Sequence, residues 1–310
     1  MPRAADTVRQ QRICDNLRTR ARLLSAVREH FTQEGYLEVE TPVRIPAPLP
    51  EAHIDAVSAE GAYLQTSPES CMKRLLAAGY HRIFQICRCF RRGERGSRHL
   101  PEFTMLEWYA AGKAYGDLMV RCEALVCHIA RRLERGDQIN YGSQRIDLRR
   151  PWPRITIEEA FDRYADRPLA RALSEDRFDE VVALQIEPKL GLDRPVFVCD
   201  YPSGHGALAR PRTDRSDRVE RFELYIAGLE LCNGFSELTD PVEQRRRFEQ
   251  ELDRRRQRKG HVPPMPERFL SDLAGMPASA GNALGLDRLA MIFADAGSID
   301  EVTAFVPEEL

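Results

Sequence analysis

The sequence has 310 residues, of which 43% are hydrophobic and 30% charged, a composition typical of a folded globular protein and not of a disordered or fibrous one. Its 46 basic and 48 acidic residues give a formal net charge of -2, which argues against a protein built mainly to bind the nucleic-acid backbone. No apolar run approaches the roughly 20 residues that cross a bilayer, and the charged N-terminal segment is unlike a signal peptide. We therefore expect a cytoplasmic protein without a membrane partner, whose eight cysteines are free thiols.

Hydrophobic residues recur at helical spacing in several segments. The predicted helices are 20–34, 69–78, 116–134, 243–259 and 285–295. The fourth follows Asp240-Pro241, a favourable N-cap and first helical residue, and Glu243 would complete a capping box. Its arginine triplets, 245–247 and 254–256, allow two interpretations: a solvated helix with Glu–Arg pairs, or a docking surface for an acidic partner.

Strand-like runs lie between these helices. They cover 36–41, 62–66, 82–91, 103–110, 196–200, 219–226 and 229–236. Thr156 to Glu159 indicates a further helix start, and the rest of 136–195 is predicted to form peripheral helices and loops. Because strands and helices do not alternate regularly, we expect an α+β fold around a largely antiparallel sheet. The sequence contains neither a P-loop nor a dinucleotide-binding fingerprint.

A predicted hairpin carries the first candidate site. The strand that ends at Phe90 runs into a loop with four arginines and His99, and the chain returns from Pro101 to Tyr109. A guanidinium at the base of the loop can hold a phosphate through a bidentate contact, and an aromatic ring on the return strand can stack on a base. A charged, solvent-exposed hairpin tip is the alternative interpretation.

Two later segments extend this candidate site. If the chain turns at Ala227-Gly228, Glu223 and Glu230 come near each other on adjacent strands, and two carboxylates facing a triphosphate suit Mg²⁺. Further on, the segment 281–288 places two glycines and Arg288 at a strand-to-helix junction, where a phosphate can approach the backbone closely.

Together and in order, these segments resemble class II aminoacyl-tRNA synthetases, specifically the lysine enzymes, over about residues 20–306. The matching segments are 22–42 for motif 1, 90–105 for motif 2, 281–288 for motif 3, and the lysine-type blocks 67–75 and 233–241. The resemblance implies a catalytic domain over 20–310 after an N-terminal extension of 1–19, with no room for the anticodon-binding domain of the tRNA synthetases.

The chain thus resembles the free-standing EpmA (PoxA/GenX) family. This resemblance implies that ATP activates (R)-β-lysine or lysine as an adenylate, that Mg²⁺ assists, and that a lysine of elongation factor P is the acceptor. It also implies a homodimer and gives no reason to expect a tRNA partner. Two alternatives stay open: a truncated lysyl-tRNA synthetase paralogue that aminoacylates another acceptor, and a non-catalytic nucleotide-binding paralogue.

The resemblance also assigns residues. Arg91 and Arg288 are the expected catalytic groups, on the α- and γ-phosphates, and Glu223 and Glu230 are the expected metal ligands. The expected ATP contacts are Arg91, Arg92, Gly93, His99, Phe103, Glu230, Leu231, Gly285 and Arg288. The expected amino-acid pocket contains Ser67, Pro68, Glu69, Glu107, Tyr109, Asn233, Phe235, Glu237 and Ala283. Alternatives are a core position for Phe103, a structural hydrogen bond for His99 and a solvated surface for the glutamates.

Two residues depart from the family pattern, whereas Ser67 and Ala283 agree with the free-standing ligases and differ from the lysyl-tRNA synthetases. Gly93 stands where the family has a glutamate near the adenine amino group, with Glu94 one position later, and Leu100 replaces an asparagine. Both changes fall in the loop expected to face ATP. Ala283 replaces a glycine of the lysyl-tRNA synthetases, and its methyl group can change the selectivity between α- and β-amino acids by about 1–3 kcal/mol.

Overall fold

The computed structural model describes residues 4–310, which form one large sheet with helices on both faces. The helices are α1 (Ala4–Arg12), α2 (Cys14–Gln33), α3 (Glu69–Ala77), α4 (Tyr115–Arg132), α5 (Ile157–Tyr164), α6 (Leu169–Ser174), α7 (Phe178–Val181), α8 (Pro241–Gln257), α9 (Glu267–Leu273) and α10 (Leu286–Ala294). The strands are β1 (Leu37–Glu38), β2 (Arg44–Ile45), β3 (Ser58–Ala59), β4 (Ala62–Leu64), β5 (Arg82–Phe90), β6 (Glu102–Ala111), β7 (Gln138–Tyr141), β8 (Gln144–Asp147), β9 (Arg154–Thr156), β10 (Val196–Cys199), β11 (Arg221–Ile226), β12 (Leu229–Ser236) and β13 (Ser279–Gly285). None of the helices in this part of the chain is long and apolar enough to span a membrane.

The main sheet has eight strands in the order β1-β5-β6-β13-β12-β11-β10-β9. Each pair of adjacent strands among the six inner strands, from β5 to β10 in this order, is antiparallel. The short edge strands β1 and β9 run parallel to their neighbours β5 and β10. The structure therefore confirms the predicted α+β fold around a largely antiparallel sheet. Two small sheets, β2-β4-β3 and β7-β8, lie outside it.

Alternation along the strands separates the two faces of the sheet. On β6, Leu106 and Trp108 are buried in the main apolar core, which α2, α4 and α10 cover with residues such as Phe31, Leu125 and Met291. The residues between them on β6 point to the opposite face, because successive side chains of a strand alternate. That face is flanked by α3, α8 and α9 and carries the polar residues of the candidate site.

The structure confirms the five predicted helices, although α2 begins at Cys14, so the predicted boundary at residue 19 falls inside a continuous helix. The start at Thr156 is also confirmed, since Thr156 and Glu159 form a capping box. The prediction of a capping box at Glu243 is wrong. Asp240 accepts from the backbone N–H groups of the first turn as expected, but the Glu243 carboxylate accepts from Arg246 and Arg247 instead.

The strand predictions need several corrections. The predicted runs omit β2, β3 and β13, and β13 lies inside the main sheet. The run 36–41 contributes only a two-residue strand, because the chain leaves β5 once the Val39 backbone N–H has donated to Phe84. The segment 136–195 is not only helices and loops: it contains the β7–β8 hairpin and β9, which extends the main sheet by pairing with β10. A three-residue strand is too short to show an alternating pattern in the sequence.

Candidate active site

Cross-strand pairing brings the predicted pocket residues together. Glu107 of β6 pairs with Ala283 of β13, and Ala283 pairs in turn with Asn233 of β12. In the next row of paired residues, Tyr109 of β6 pairs with Gly281 of β13, and Gly281 pairs in turn with Phe235 of β12. Because paired residues on neighbouring strands share a face, these side chains form the floor of one site. Ala283 lies between Glu107 and Asn233, in the middle of that floor.

Three glutamates form an acidic pocket above this floor, two of them fully buried and Glu69 partly buried. Glu69 begins α3, Glu107 lies on β6 and Glu237 follows β12; neither Glu107 nor Glu237 has solvent-exposed surface. Burial raises the pKa of Glu107 to about 8, and the neighbouring Glu69 adds to the rise. Burial also raises the pKa of Glu237 to about 8, although Lys73 opposes that rise. Such carboxyls gain free energy from a bound cation that replaces their protons.

Hydrogen bonds orient the Glu107 carboxylate. Ser67 Oγ donates to Glu107 Oε1 at 2.5 Å, and the Tyr109 hydroxyl donates to Glu107 Oε2 at 2.7 Å. The Ser67 oxygen also accepts from the Glu69 backbone N–H at 3.0 Å, next to Pro68, the residue that precedes α3. The block Ser67-Pro68-Glu69 therefore connects the start of a helix to the floor of the pocket.

Gly281 allows the Tyr109 ring and the Glu237 carboxylate to pack directly against the backbone of β13. A Cβ atom at this position would lie 2.2 Å from a ring carbon of Tyr109 and 2.4 Å from Glu237 Oε1, which excludes every larger residue. Glu237 Oε1 is buried and has no hydrogen-bond partner among the described residues. An unpaired buried carboxylate oxygen costs free energy, so this atom marks the point where a ligand ammonium group would bind.

The arginine-rich hairpin forms the opposite end of the site. The Arg91 guanidinium lies 5.1 Å from the centroid of the Phe103 ring, and its Nε is buried without a hydrogen-bond partner within residues 8–310. Phe103 is half-buried, so the ring is not enclosed in the core. Glu94 lies 4.0 Å from Arg91. The hairpin therefore presents a guanidinium and an aromatic ring side by side, as phosphate and base recognition require.

Arg288 of α10 is held in place by three neighbours. It donates to the backbone carbonyl of Glu230 at 2.8 Å, and it lies 3.3 Å from the Glu230 carboxylate. Its second nitrogen lies 2.6 Å from His99 Nε2, which must accept because a guanidinium only donates. Burial and Arg288 lower the pKa of His99, so the imidazole stays neutral and keeps this acceptor at neutral pH. This contact favours the structural interpretation of His99.

The two predicted metal ligands are brought together by the β11–β12 hairpin. The chain turns at Ala227-Gly228, both with positive φ, as a type I′ turn requires. Leu224 pairs with Cys232 but Tyr225 pairs with Glu230, so Leu231 is an extra residue in a β-bulge. The bulge moves Glu230 to the face that carries Glu223. Leu231 itself is buried in the core, so its side chain does not enter the site.

The Glu223 carboxylate is already well coordinated by protein groups. It accepts from Tyr201 at 2.5 Å, from Tyr225 at 2.6 Å and from Arg221 at 2.5 Å. Arg221 also donates to Asn233, which links this carboxylate to the amino-acid pocket. Tyr201, Tyr225 and Arg221 were not predicted; Arg221 and Tyr225 flank Glu223 at a spacing of two on β11, a pattern that places them on its face.

The donor set fits Mg²⁺ only in the presence of a phosphate ligand. Glu223 and Glu230 supply oxygens, which Mg²⁺ prefers, and Mg²⁺ takes its other ligands from water and phosphate. Within residues 8–310, no group of three histidine, cysteine or acidic side chains is placed to hold a metal by itself. Glu223 and Glu230 would therefore hold the ion together with a triphosphate.

Some predicted contacts lie at the margin of the site. Arg92 is exposed and its side chain has no partner among the described residues, although its backbone N–H donates to Asp55. Gly93 has a φ of 79° and open space around it. Gly285 ends β13, with Leu231 O and the Arg288 stem 3.9 Å from the position of a Cβ. Leu100 is packed in the core, so this departure from the family pattern does not face a ligand.

Sequence reasoning missed one central residue of the pocket. Lys73 of α3 is only 1% exposed, and its Nζ lies 2.5 Å from Glu69 Oε1 and 2.6 Å from Glu237 Oε2. The same ammonium lies 5.1 Å from the centroid of the Phe235 ring. The spacing of four between Glu69 and Lys73 indicates a helical ion pair, but nothing local indicates that this pair is buried.

The fold and the ordered site define a class II aminoacyl-tRNA synthetase domain, and residues 2–309 match the family described as tRNA synthetases class II (D, K and N). The chain is 38% identical to the elongation factor P–(R)-β-lysine ligase of Edwardsiella ictaluri, over 94% of both proteins. It is 39% identical to that of Pectobacterium carotovorum, over 94% of this chain and 95% of the relative. A lysine–tRNA ligase of Magnetococcus marinus is 34% identical over 98% of this chain, which spans 66% of that protein.

The chain therefore belongs to the class II tRNA synthetase family. Within it, the chain belongs with the elongation factor P–(R)-β-lysine ligases, which it matches over nearly their whole length. All of these relatives are ligases, and this protein is an enzyme of that class.

Proposed function

We propose that this ligase uses ATP to activate (R)-β-lysine, or lysine, and transfers it to a lysine side chain of elongation factor P. The observation that carries the proposal is the pocket of Glu69, Glu107 and Glu237 beside the arginine-rich hairpin, in which Glu107 and Glu237 are fully buried and Glu69 is partly buried. Three carboxylates at one pocket suit a substrate with two ammonium groups, and the adjacent guanidinium groups suit its activation by a nucleotide. The named relatives that match over their whole length support the same acceptor.

The first proposed step forms an adenylate. An oxygen of the substrate carboxylate attacks the α-phosphorus of ATP, the bond to the bridging oxygen breaks, and pyrophosphate leaves with the electron pair. Arg91 would neutralise charge on the α-phosphate and Arg288 on the γ-phosphate, since such transfers depend on positioning and charge stabilisation. Mg²⁺ held by Glu223 and Glu230 would neutralise part of the triphosphate charge when bound.

The second proposed step forms an amide. The neutral ε-amine of the acceptor lysine attacks the carbonyl carbon of the adenylate, AMP leaves with the electron pair of the C–O bond, and the nitrogen loses one proton. Burial of the amino-acid pocket keeps the substrate side chain fixed while the carbonyl faces the hairpin. The acceptor therefore approaches from the side of the sheet that carries Phe103 and Arg91.

Two measurements on the purified protein test this proposal. Pyrophosphate exchange with ATP is measured for (R)-β-lysine, L-lysine and a panel of other amino acids. The intact mass of elongation factor P is then measured after incubation with the protein, ATP and each active amino acid. We expect exchange with a lysine isomer and a mass gain of one lysyl group, lost when the acceptor lysine is changed to arginine.

The other outcomes identify the alternatives. Exchange with L-lysine but no mass gain on elongation factor P would indicate a synthetase paralogue with another acceptor. No exchange with any amino acid would indicate a non-catalytic paralogue. Either result would overturn the proposal.

A further inference from the structure

We propose that Lys73 is a positioning and specificity-determining residue of the amino-acid pocket: its ammonium group orients Glu69 and Glu237 and adjusts the pocket charge to a ligand with two ammonium groups. This inference rests on the proposed function, because it assigns a role in binding the lysine-type substrate. Nothing in the relatives' names assigns this residue, and although Lys73 lies in the lysine-type block 67–75, it is not among the pocket residues that the resemblance assigns.

The first argument is geometric. Glu69 and Lys73 lie one turn apart on α3, whereas Glu237 follows β12, so the Lys73 ammonium joins two separate elements across the pocket. It lies 2.5 Å from Glu69 Oε1 and 2.6 Å from Glu237 Oε2. Within the described part of the chain both Glu237 oxygens are buried without a hydrogen-bond partner, and the ion pair with Lys73 is made at Oε2. Lys73 therefore holds the Glu237 carboxylate, whose Oε1 packs against Gly281 beside the Tyr109 ring.

The second argument concerns charge. With Glu69, Glu107 and Glu237 ionised, the pocket has three negative charges, and Lys73 reduces them to two. A substrate with two ammonium groups would then neutralise the pocket, whereas a neutral side chain would leave a buried charge unpaired, which is costly. Burial by itself lowers the pKa of Lys73, but Glu237 and Glu69 outweigh it and raise the pKa above its usual range. Lys73 therefore stays charged at every pH of interest.

The third argument links Lys73 to the protonation of the pocket. Burial raises the pKa values of Glu107 and Glu237 to about 8, so both carry protons for part of the time near neutral pH. They must lose these protons to pair with a substrate ammonium group, so the KM for lysine falls as pH rises through about 8. Lys73 lowers the pKa of both carboxyls, and its removal raises them further. The groups that face this cluster are Ser67 and Glu69 around the start of α3, Glu107 and Tyr109 on β6, Glu237 after β12, and Glu51, whose pKa burial raises to about 7.

The test compares Lys73→Met and Lys73→Arg with a matched control, Arg74→Met. Arg74 is the next residue of α3, but it is partly exposed and pairs with Asp272 at 2.5 Å, away from the pocket. For each variant, KM and kcat of lysine-dependent pyrophosphate exchange are measured between pH 6.5 and 9.5, a range chosen around the carboxyl pKa values of about 8. The amino-acid substrate in these assays is the lysine isomer with which the wild-type protein shows the highest exchange rate.

For Lys73→Met we expect KM to rise at least about tenfold at pH 7.5, with a smaller change in kcat, because the pKa values of Glu107 and Glu237 rise further without the Lys73 ammonium and the pocket is less often ionised. The fall of KM with pH should move to a higher pH. Lys73→Arg keeps the charge, so its KM should change less and its pH profile should match that of the unchanged protein. Arg74→Met should leave both properties unchanged.

Three outcomes would overturn the inference. An unchanged KM and pH profile in Lys73→Met would show a purely structural role, and a lower KM would show that Lys73 competes with the substrate for the carboxylates. If Lys73→Met does not fold, Lys73→Arg decides: a pH profile displaced despite the retained charge contradicts the proposal. Failure of the unchanged protein to activate any lysine isomer would instead overturn the proposed function itself.

Discussion

At the scale of single residues, the site depends on charges that are buried in pairs. The family resemblance predicted Glu69 and Glu237 as pocket residues, but it assigned no role to Lys73, although Lys73 lies in the lysine-type block 67–75. Its burial follows from Glu237, which reaches it from another part of the chain. A contact of this kind is fixed by the tertiary fold, so local spacing could not indicate it.

Gly93 shows how one residue changes the hairpin loop. Its φ of 79° is in the left-handed region, where residues with a Cβ pay roughly 1–2 kcal/mol. The Glu94 backbone N–H lies 3.4 Å from the Arg91 carbonyl oxygen, and the Glu94 carboxylate lies near the Arg91 side chain. Gly93 thus permits a tight turn that places the Glu94 carboxylate beside the Arg91 guanidinium. A glutamate at position 93 would be strained in the left-handed backbone conformation of this turn.

We therefore expect Gly93→Ala to raise the KM for ATP about fivefold, since about 1 kcal/mol of strain lowers the population of the turn by that factor. The KM for lysine should not change, because the amino-acid pocket lies on other elements. Gly96→Ala is the matched control: Gly96 lies in the same loop, has no positive φ and leaves the same open space for a methyl group. The measurement is pyrophosphate exchange with varied ATP, and equal effects of the two changes would contradict the role given to the turn.

At the scale of elements, α8 is a structural support and not a free basic surface. Its arginines are engaged within the protein: Arg247 donates to the carbonyls of Gly206 and Ala209, both at 2.8 Å. Arg255 donates to the carbonyl of Glu51 at 2.7 Å and also pairs with Asp55. These contacts favour the first interpretation of the arginine triplets, a helix with internal ion pairs.

Arg255 also connects α8 to the arginine-rich loop between β5 and β6. It holds the segment 51–55, and the Asp55 carbonyl in turn accepts from the Arg92 backbone N–H at 2.7 Å. We expect Arg255→Met to lower the free energy of unfolding by about 2–4 kcal/mol, because several buried carbonyls lose a charged donor. The kcat/KM for amino-acid activation should fall as well.

Arg256→Met provides the comparison, since Arg256 is largely exposed and pairs only with Asp253 on the same helix. It should change the unfolding free energy by less than about 0.5 kcal/mol. Urea unfolding and pyrophosphate exchange measure both effects. A loss of transfer to elongation factor P in Arg256→Met, with amino-acid activation intact, would instead support the docking interpretation of this helix.

The elements show where sequence patterns are sufficient. Long strands with alternating residues, such as β5 and β6, and helices with a clear apolar face were predicted nearly to their ends. The bulge at Leu231 was not predicted, because its position depends on the pairing of β11 with β12. The sequence predicted that Glu223 and Glu230 approach each other if the chain turns at Gly228; the bulge is the physical reason that both reach one face.

At the scale of the whole molecule, the site draws on segments from most of the chain. The start of α3, the β5–β6 hairpin, the β11–β12 hairpin and the β13–α10 junction all contribute. Each motif alone was also compatible with a purely structural or solvent-exposed role, and only the order of the motifs along the chain carried the family resemblance. The resemblance gave the fold class and the identities of the pocket residues, whereas hydrogen-bond partners and protonation depend on the packing of these segments.

The edge of the main sheet leads to an expectation about assembly. Among the described residues, β1 is an edge strand that pairs with β5 on one side and with no strand on the other. Two apolar side chains near this edge are exposed: Leu37 is 51% exposed and Tyr80 is 43% exposed. Exposed apolar residues on an open edge are unfavourable in a monomer, and a two-fold interface would cover them. We propose that two copies of the chain associate through this edge.

We therefore expect Leu37→Arg to raise the dissociation constant of the dimer at least about tenfold, because an interface residue worth about 1.4 kcal/mol is replaced by a charge. Val242→Arg is the control, since Val242 is 78% exposed on α8, away from this edge. Sedimentation equilibrium over a range of protein concentrations measures both variants. A monomer at every concentration, or equal dissociation of the two variants, would contradict this interface, whereas dissociation by Leu37→Arg alone would place the two-fold axis beside β1.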